Sequence, residues 1–163
     1  MKNESIFELC ASILTRFGFG GESLVSLIQK WRFFIEECKD VYRWDYSEYL
    51  NDIRFRSLLQ RLLEEPKIAN ADEFKELFDE LACLDDMFKS LLQPDIFIGT
   101  GEKWWERGVL IRAGEEYCFY MKAAHGIVVE KYRLLNTKER GCKRSRRLGK
   151  TEWKTHRGHE RER

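Results

Sequence analysis

Acid–base or nucleophilic chemistry needs a titratable group held against a partner, and this sequence of 163 residues offers few such groups. Histidine occurs three times, at His125, His156 and His159. His125 sits in Ala124-His125-Gly126, which reads as a hairpin turn. Glu115 and Glu116 fall in the neighbouring turn, which antiparallel geometry places at the far end of the shared strand. Cys118 and His125 have the right chemistry for a nucleophile and its base, but nothing local brings them together. Cys142, His156 and His159 make three ligands where zinc takes four, or three and a water. They also lie in a segment with no core to orient them. Gly99-Thr100-Gly101-Glu102-Lys103 imitates a phosphate loop, but it lacks the first glycine at the required distance. Trp104 stands where Ser or Thr would hold magnesium, and the following stretch reads as a strand rather than a helix. The expectation is therefore a protein that is not an enzyme, with no metal and no cofactor.

Binding chemistry is better represented. Asp72, Glu73, Glu76, Asp79, Glu80, Asp85 and Asp86 place seven carboxylates within fifteen residues, with Lys75 as the only base among them. Positions 72, 76, 79 and 80 lie opposite the stripe Phe74, Leu77, Leu81 and Leu84 on a helix. Such a face suits docking on a basic protein and steering its approach. Trp104 and Trp105 are adjacent. In a strand they point to opposite faces, so one belongs to the core and the other to the surface, where it can anchor an interface. The expected partner-binding residues are Asp72, Glu76, Asp79, Glu80, Asp85, Asp86, Trp104 and Trp105. An alternative site lies near the C-terminus. Lys143, Arg144, Arg146 and Arg147 suit phosphate neutralisation and Trp153 suits stacking on a base, which makes nucleic acid the alternative partner.

The net charge of +1 conceals how these groups are distributed. Residues 1–136 hold 18 Lys and Arg against 24 Asp and Glu, a net of −6, while residues 137–163 hold 11 against 4, a net of +7. An acidic body attracts basic partners and a basic tail attracts polyanions.

Four helices are expected to position the acidic residues. The first runs over 5–17 on Ile6, Leu9, Cys10, Ile13 and Leu14 and stops at the glycines after Phe17. The second runs over 22–42 on Leu27, Ile28, Trp31, Phe34, Ile35 and Cys38, with Phe33 off the stripe. The third runs over 45–64 and is stopped by Pro66. The fourth runs over 71–92, with Asn70 and Glu73 as a capping box and Pro94 beyond its end. After Pro94 the period becomes extended. Strands are expected at 96–98, at 104–112 with a bend at Gly108, at 117–122, and at 127–134, forming an antiparallel meander.

The expected fold class is α+β. An N-terminal bundle of about four helices (1–94) precedes a small β-meander (95–136) in one domain, 1–136, followed by a basic, disordered tail over 137–163. Five widely spaced cysteines and no CxxC pair argue for free thiols. No secretory signal is read at Met1–Phe17 and no apolar run approaches the ~20 residues of a membrane span, so the expected location is the cytoplasm. The most concrete reading is a toxin-neutralising or immunity-type inhibitor of a basic partner.

Overall fold

The computed structural model of the chain describes residues 5–132. Within them the α+β expectation holds, with helices first and short strands after. Helix α1 (Ile6–Arg16) starts at Ser5, whose hydroxyl accepts the Glu8 N–H at 3.2 Å while the Glu8 carboxylate accepts the Ser5 N–H at 2.8 Å. This reciprocal box satisfies two donors that the first turn would leave bare. Helix α2 (Leu24–Asp40) opens in the same way on Ser23 and Ser26, and α3 (Tyr46–Leu63) opens on Asp45, which accepts the Glu48 N–H at 3.0 Å. Pro66 ends α3 as expected. Glu65 is extended, and Pro66 takes the first position of a single turn, α4 (Pro66–Ala69), where its missing N–H costs nothing.

The fourth expected helix begins later than its cap signal suggests. Asn70 closes α4, its side-chain amide donating to the Pro66 carbonyl at 2.8 Å, so the Asn70–Glu73 box does not form. A 3-10 turn at Asp72–Phe74 leads instead into α5 (Lys75–Lys89).

The extended region is shorter than expected and partly helical. Strand β1 (Leu92–Phe97) starts before Pro94 and pairs antiparallel with β2 (Gly108–Leu110), matching Leu92 with Leu110 and Phe97 with Gly108. Pro94 is tolerated because β1 has a neighbour on one side only, and Asp95 adopts a left-handed φ of 59° in the irregular stretch between the two pairs. Trp104–Arg107 is a helical turn, α6, so the chain bends at Gly108 but is not a strand before it. Residues 117–122 belong to helix α7 (Glu115–His125). A pairing of β3 (Arg112–Ala113) with β4 (Glu130–Lys131) is parallel, and β4 is all that forms of the strand expected at 127–134 among the described residues. The expected tail over 137–163 lies outside the described residues. So do Cys142, His156, His159 and the alternative site at Lys143, Arg144, Arg146, Arg147 and Trp153.

Aromatic rings form the centre of the core. Trp31 and Phe34 of α2 stack at 5.3 Å, Phe88 of α5 meets Trp31 edge-on at 4.9 Å, and Phe34 meets Tyr49 of α3 at 5.5 Å. Tyr49 extends the cluster to Tyr42 at 5.6 Å and Tyr117 at 5.1 Å. The Tyr117 hydroxyl accepts the Leu110 N–H at 3.1 Å, so α7 is tied to β2 through the core. Cys10 and Cys38 are buried as free thiols, whereas Cys83 is exposed. Among the described residues no helix is long and apolar enough to cross a membrane.

Two predictions follow from this packing. Burial, and for Tyr42 the neighbouring Asp52 charge, push the hydroxyls of Tyr42, Tyr49 and Tyr117 upward from their ordinary value. Above pH ~10 the unfolded chain loses protons that the folded chain keeps, so stability is full below that pH and falls as pH rises past it. Burial pushes Tyr46 and the Cys10 and Cys38 thiols upward in the same way, so each of these groups adds about 1.4 kcal/mol per pH unit to the loss while it titrates in the unfolded chain alone. The denaturation midpoint measured against pH should show this decline, and Tyr42→Phe should reduce its slope by about 1.4 kcal/mol per pH unit. The second concerns Gly114, whose N–H reaches the Tyr42 carbonyl at 2.6 Å and whose added Cβ would lie 2.8 Å from the same oxygen. Gly114→Ala should cost about 1–3 kcal/mol. In the same thermal melts Gly21→Ala, which meets nothing within 4 Å, should cost far less.

Candidate docking face

The acidic segment divides into an outward stripe and one buried carboxylate. Asp72, Glu76, Asp79 and Asp86 recur at steps that keep them on one side of the 3-10 turn and α5, and all four are exposed, as is Glu73. From Glu76 to Asp86 the stripe runs along about 15 Å of helix. Among the described residues none of Asp72, Glu73, Glu76 and Asp79 has an ion-pair partner. Asp86 shares a surface pair with Lys89 at 3.6 Å, and Glu80 is half-buried in a pair with Arg32 of α2.

Asp85 corrects the sequence expectation, because it faces the interior. It shares helical spacing with Leu81 and Phe88 of the core stripe and is buried with Arg56 of α3. The Arg56 guanidinium grips it with Nε at 2.9 Å from Oδ1 and Nη2 at 2.8 Å from Oδ2, and the Trp31 indole N–H adds a third donor at 3.1 Å. Gln60 accepts from Arg56 Nη1 at 3.3 Å. A buried charge is tolerated when it is paired and hydrogen-bonded in this way.

Trp105 is also corrected. It is 3% exposed, its ring lies 4.1 Å from the Arg56 guanidinium, and its indole N–H donates to the Ser57 hydroxyl at 3.0 Å. Trp104 is the surface member of the pair. It is half-buried against Phe88, with the Lys89 ammonium 4.7 Å above its ring. One tryptophan in and one out is the partition expected from the sequence, although a helical turn produces it rather than a strand.

The sequence reading missed one member of this face. Phe7 of α1 is 63% exposed and meets Phe74 edge-on at 5.3 Å, beside the carboxylates of the 3-10 turn. Its signal was its position off the Ile6, Leu9, Cys10 and Ile13 stripe. The acidic segment therefore has a ring near each end, Phe7 against Phe74 at the 3-10 turn and Trp104, through Lys89 and Asp86, at the end of α5. Chemically it offers charge attraction and apolar anchors. Among the described residues no cluster of His, Cys, Asp and Glu is placed to hold a metal ion. Comparison with family models, with curated proteins and with solved structures finds no match.

The buried pair has a measurable consequence. Arg56→Ala or Asp85→Ala should each lower stability by about 3–5 kcal/mol, since each leaves an uncompensated buried charge. The double replacement Arg56→Met with Asp85→Leu should recover the part of that loss due to the unpaired charge in urea denaturation, leaving about 1–3 kcal/mol for the Trp31 N–H that loses its acceptor. Glu76→Gln and Asp79→Asn should leave the midpoint within about 0.5 kcal/mol of the parent.

Proposed function

We propose that the chain is a cytoplasmic protein-binding module that neutralises or scaffolds a basic partner, of the immunity or antitoxin kind, acting by occupancy and not by a reaction of its own. The observation that supports this reading is the set of exposed carboxylates at Asp72, Glu73, Glu76 and Asp79, which lack ion-pair partners among the described residues and run from the 3-10 turn into the start of α5. Like charges at helical spacing repel by a few tenths of a kcal/mol per pair, a cost set against the favourable positive end of α5 near Asp72, Glu73 and Glu76. A basic partner turns that cost into attraction and accelerates encounter. The Asp85 anchor holds the helix rigidly, which lowers the entropy lost on binding. Phe7 and Trp104 provide the apolar contacts that charge alone lacks.

Affinity purification of the full chain should recover a basic protein in stoichiometric amount. Reversal of Asp72, Glu76 and Asp79 to Lys should slow association about tenfold or more at low salt, with a smaller effect at high salt. Phe7→Ala should act mainly on dissociation. A complex that forms at an unchanged rate with the reversed stripe would show that this face is not the interface.

A further inference from the structure

A second surface, separate from the acidic stripe, is built around α7. Phe119 stands at the middle of this helix and is 74% exposed, the highest exposure among the large apolar side chains of the described residues. It borders an open groove of about 1060 Å³ between the start of α3, α7 and residues 127–129. Leu50 and Val128, the latter 71% exposed, line the same groove. A contiguous exposed apolar surface of this kind marks a contact site rather than scattered surface residues.

The charges around Phe119 say what the contact is. Glu116 lies three residues before it and Lys122 three residues after it, so each sits about 4.5 Å along the axis from the phenyl ring, on either side. Glu115 of the same turn already pairs with Lys131 at 2.8 Å, so Glu116 carries the charge of the acidic first turn. Glu116 and Lys122 have no ion-pair partner among the described residues. A two-fold axis through Phe119 that pairs α7 antiparallel with a second α7 brings Phe119 against its own copy. It sets the acidic first turn of each helix against the Lys122 turn of the other. The helix dipoles also oppose favourably in that arrangement. Ala123, opposite the partner's first turn, is small enough to let the helices approach. Self-complementarity about one residue is the property an isologous interface requires, and a basic or an acidic partner would meet the wrong sign at one end.

We infer that α7 forms a two-fold, antiparallel contact with a second copy of this chain, centred on Phe119 and flanked by Glu116 and Lys122. Sedimentation equilibrium of the full chain should show a monomer–dimer equilibrium. Phe119→Glu, at an exposed position, should raise the dimer dissociation constant about tenfold or more while leaving the thermal melt of the monomer intact. Glu116→Lys alone and Lys122→Glu alone should each raise it about threefold or more, since each places like charges together twice. Mixing these two single variants should restore dimer formation, because opposite charges then face each other at both ends. A chain that stays monomeric at every concentration overturns the inference and leaves this face to a different partner. A dimer indifferent to Phe119→Glu and to both reversals also overturns it, because its contact then lies elsewhere.

Discussion

The bidentate pair between Arg56 and Asp85 is the constraint on which the rest of the described structure depends. It joins α3 to α5, recruits Trp31 from α2 through an indole N–H, and supports the Trp105 ring on the guanidinium face. Four elements are thereby referenced to one ion pair. Its net energy against an apolar core of equal volume is small or unfavourable, because both charges give up water. What it contributes is register. Only one rotation of α5 brings Asp85 to Arg56, and that rotation turns Glu76, Asp79 and Asp86 outward together. The acidic face is thus a geometric consequence of an interaction that is itself buried.

The helical half was legible because the apolar period of each helix was broken by glycine or proline. The apolar period set the helices and Gly18 and Pro66 marked stops, while the caps at Ser5 with Glu8, Ser23 with Ser26, and Asp45 are starts that the period alone placed to within a residue or two. Where the signals competed, the reading failed. Asn70 has the chemistry of an N-terminal cap, but Pro66 opens a turn four residues earlier and claims it from the other side. Asp85 was readable too. It shares helical spacing with Leu81 and Phe88, and Arg56 follows Ile53 on α3 in the same way. A charge on the core stripe of each of two helices is the signature of a buried pair. Counting seven carboxylates as one surface overlooked it.

Helix α7 shows why the extended half was less legible. Tyr117 and Met121 are four apart, a spacing that satisfies both the strand period and the helix period, and both are buried. Phe119 is the deciding residue, since a strand would bury it with its neighbours and a helix turns it to solvent. Alternation and the aromatic residues Tyr117, Phe119 and Tyr120 favoured the strand. The ends favoured the helix: Gly114 opens it, Glu115 and Glu116 suit its positive end, and Gly126 closes it with a left-handed φ of 66°. Tertiary contacts then select between them, through the Gly114 N–H on the Tyr42 carbonyl and the Tyr117 hydroxyl under Leu110.

The two surfaces differ in the physics of what they can recognise. The α5 stripe carries one sign of charge, so it repels a second copy of itself and attracts a basic surface over roughly a Debye length of 10 Å. The α7 face balances its charges about an apolar centre, so it has little long-range field and its attraction begins only at contact. α5 packs on α2, whereas α7 packs on α3 and β4, which leaves the two faces on different neighbours within the folded body. A long-range attractor tolerates an imprecise encounter, while a balanced contact demands register. An electrostatic surface of the first kind governs how fast a foreign partner arrives, and a surface of the second kind governs whether an identical chain fits. Neither can substitute for the other, because the feature that serves each one, uniform sign or self-complementary sign, defeats the purpose of its counterpart.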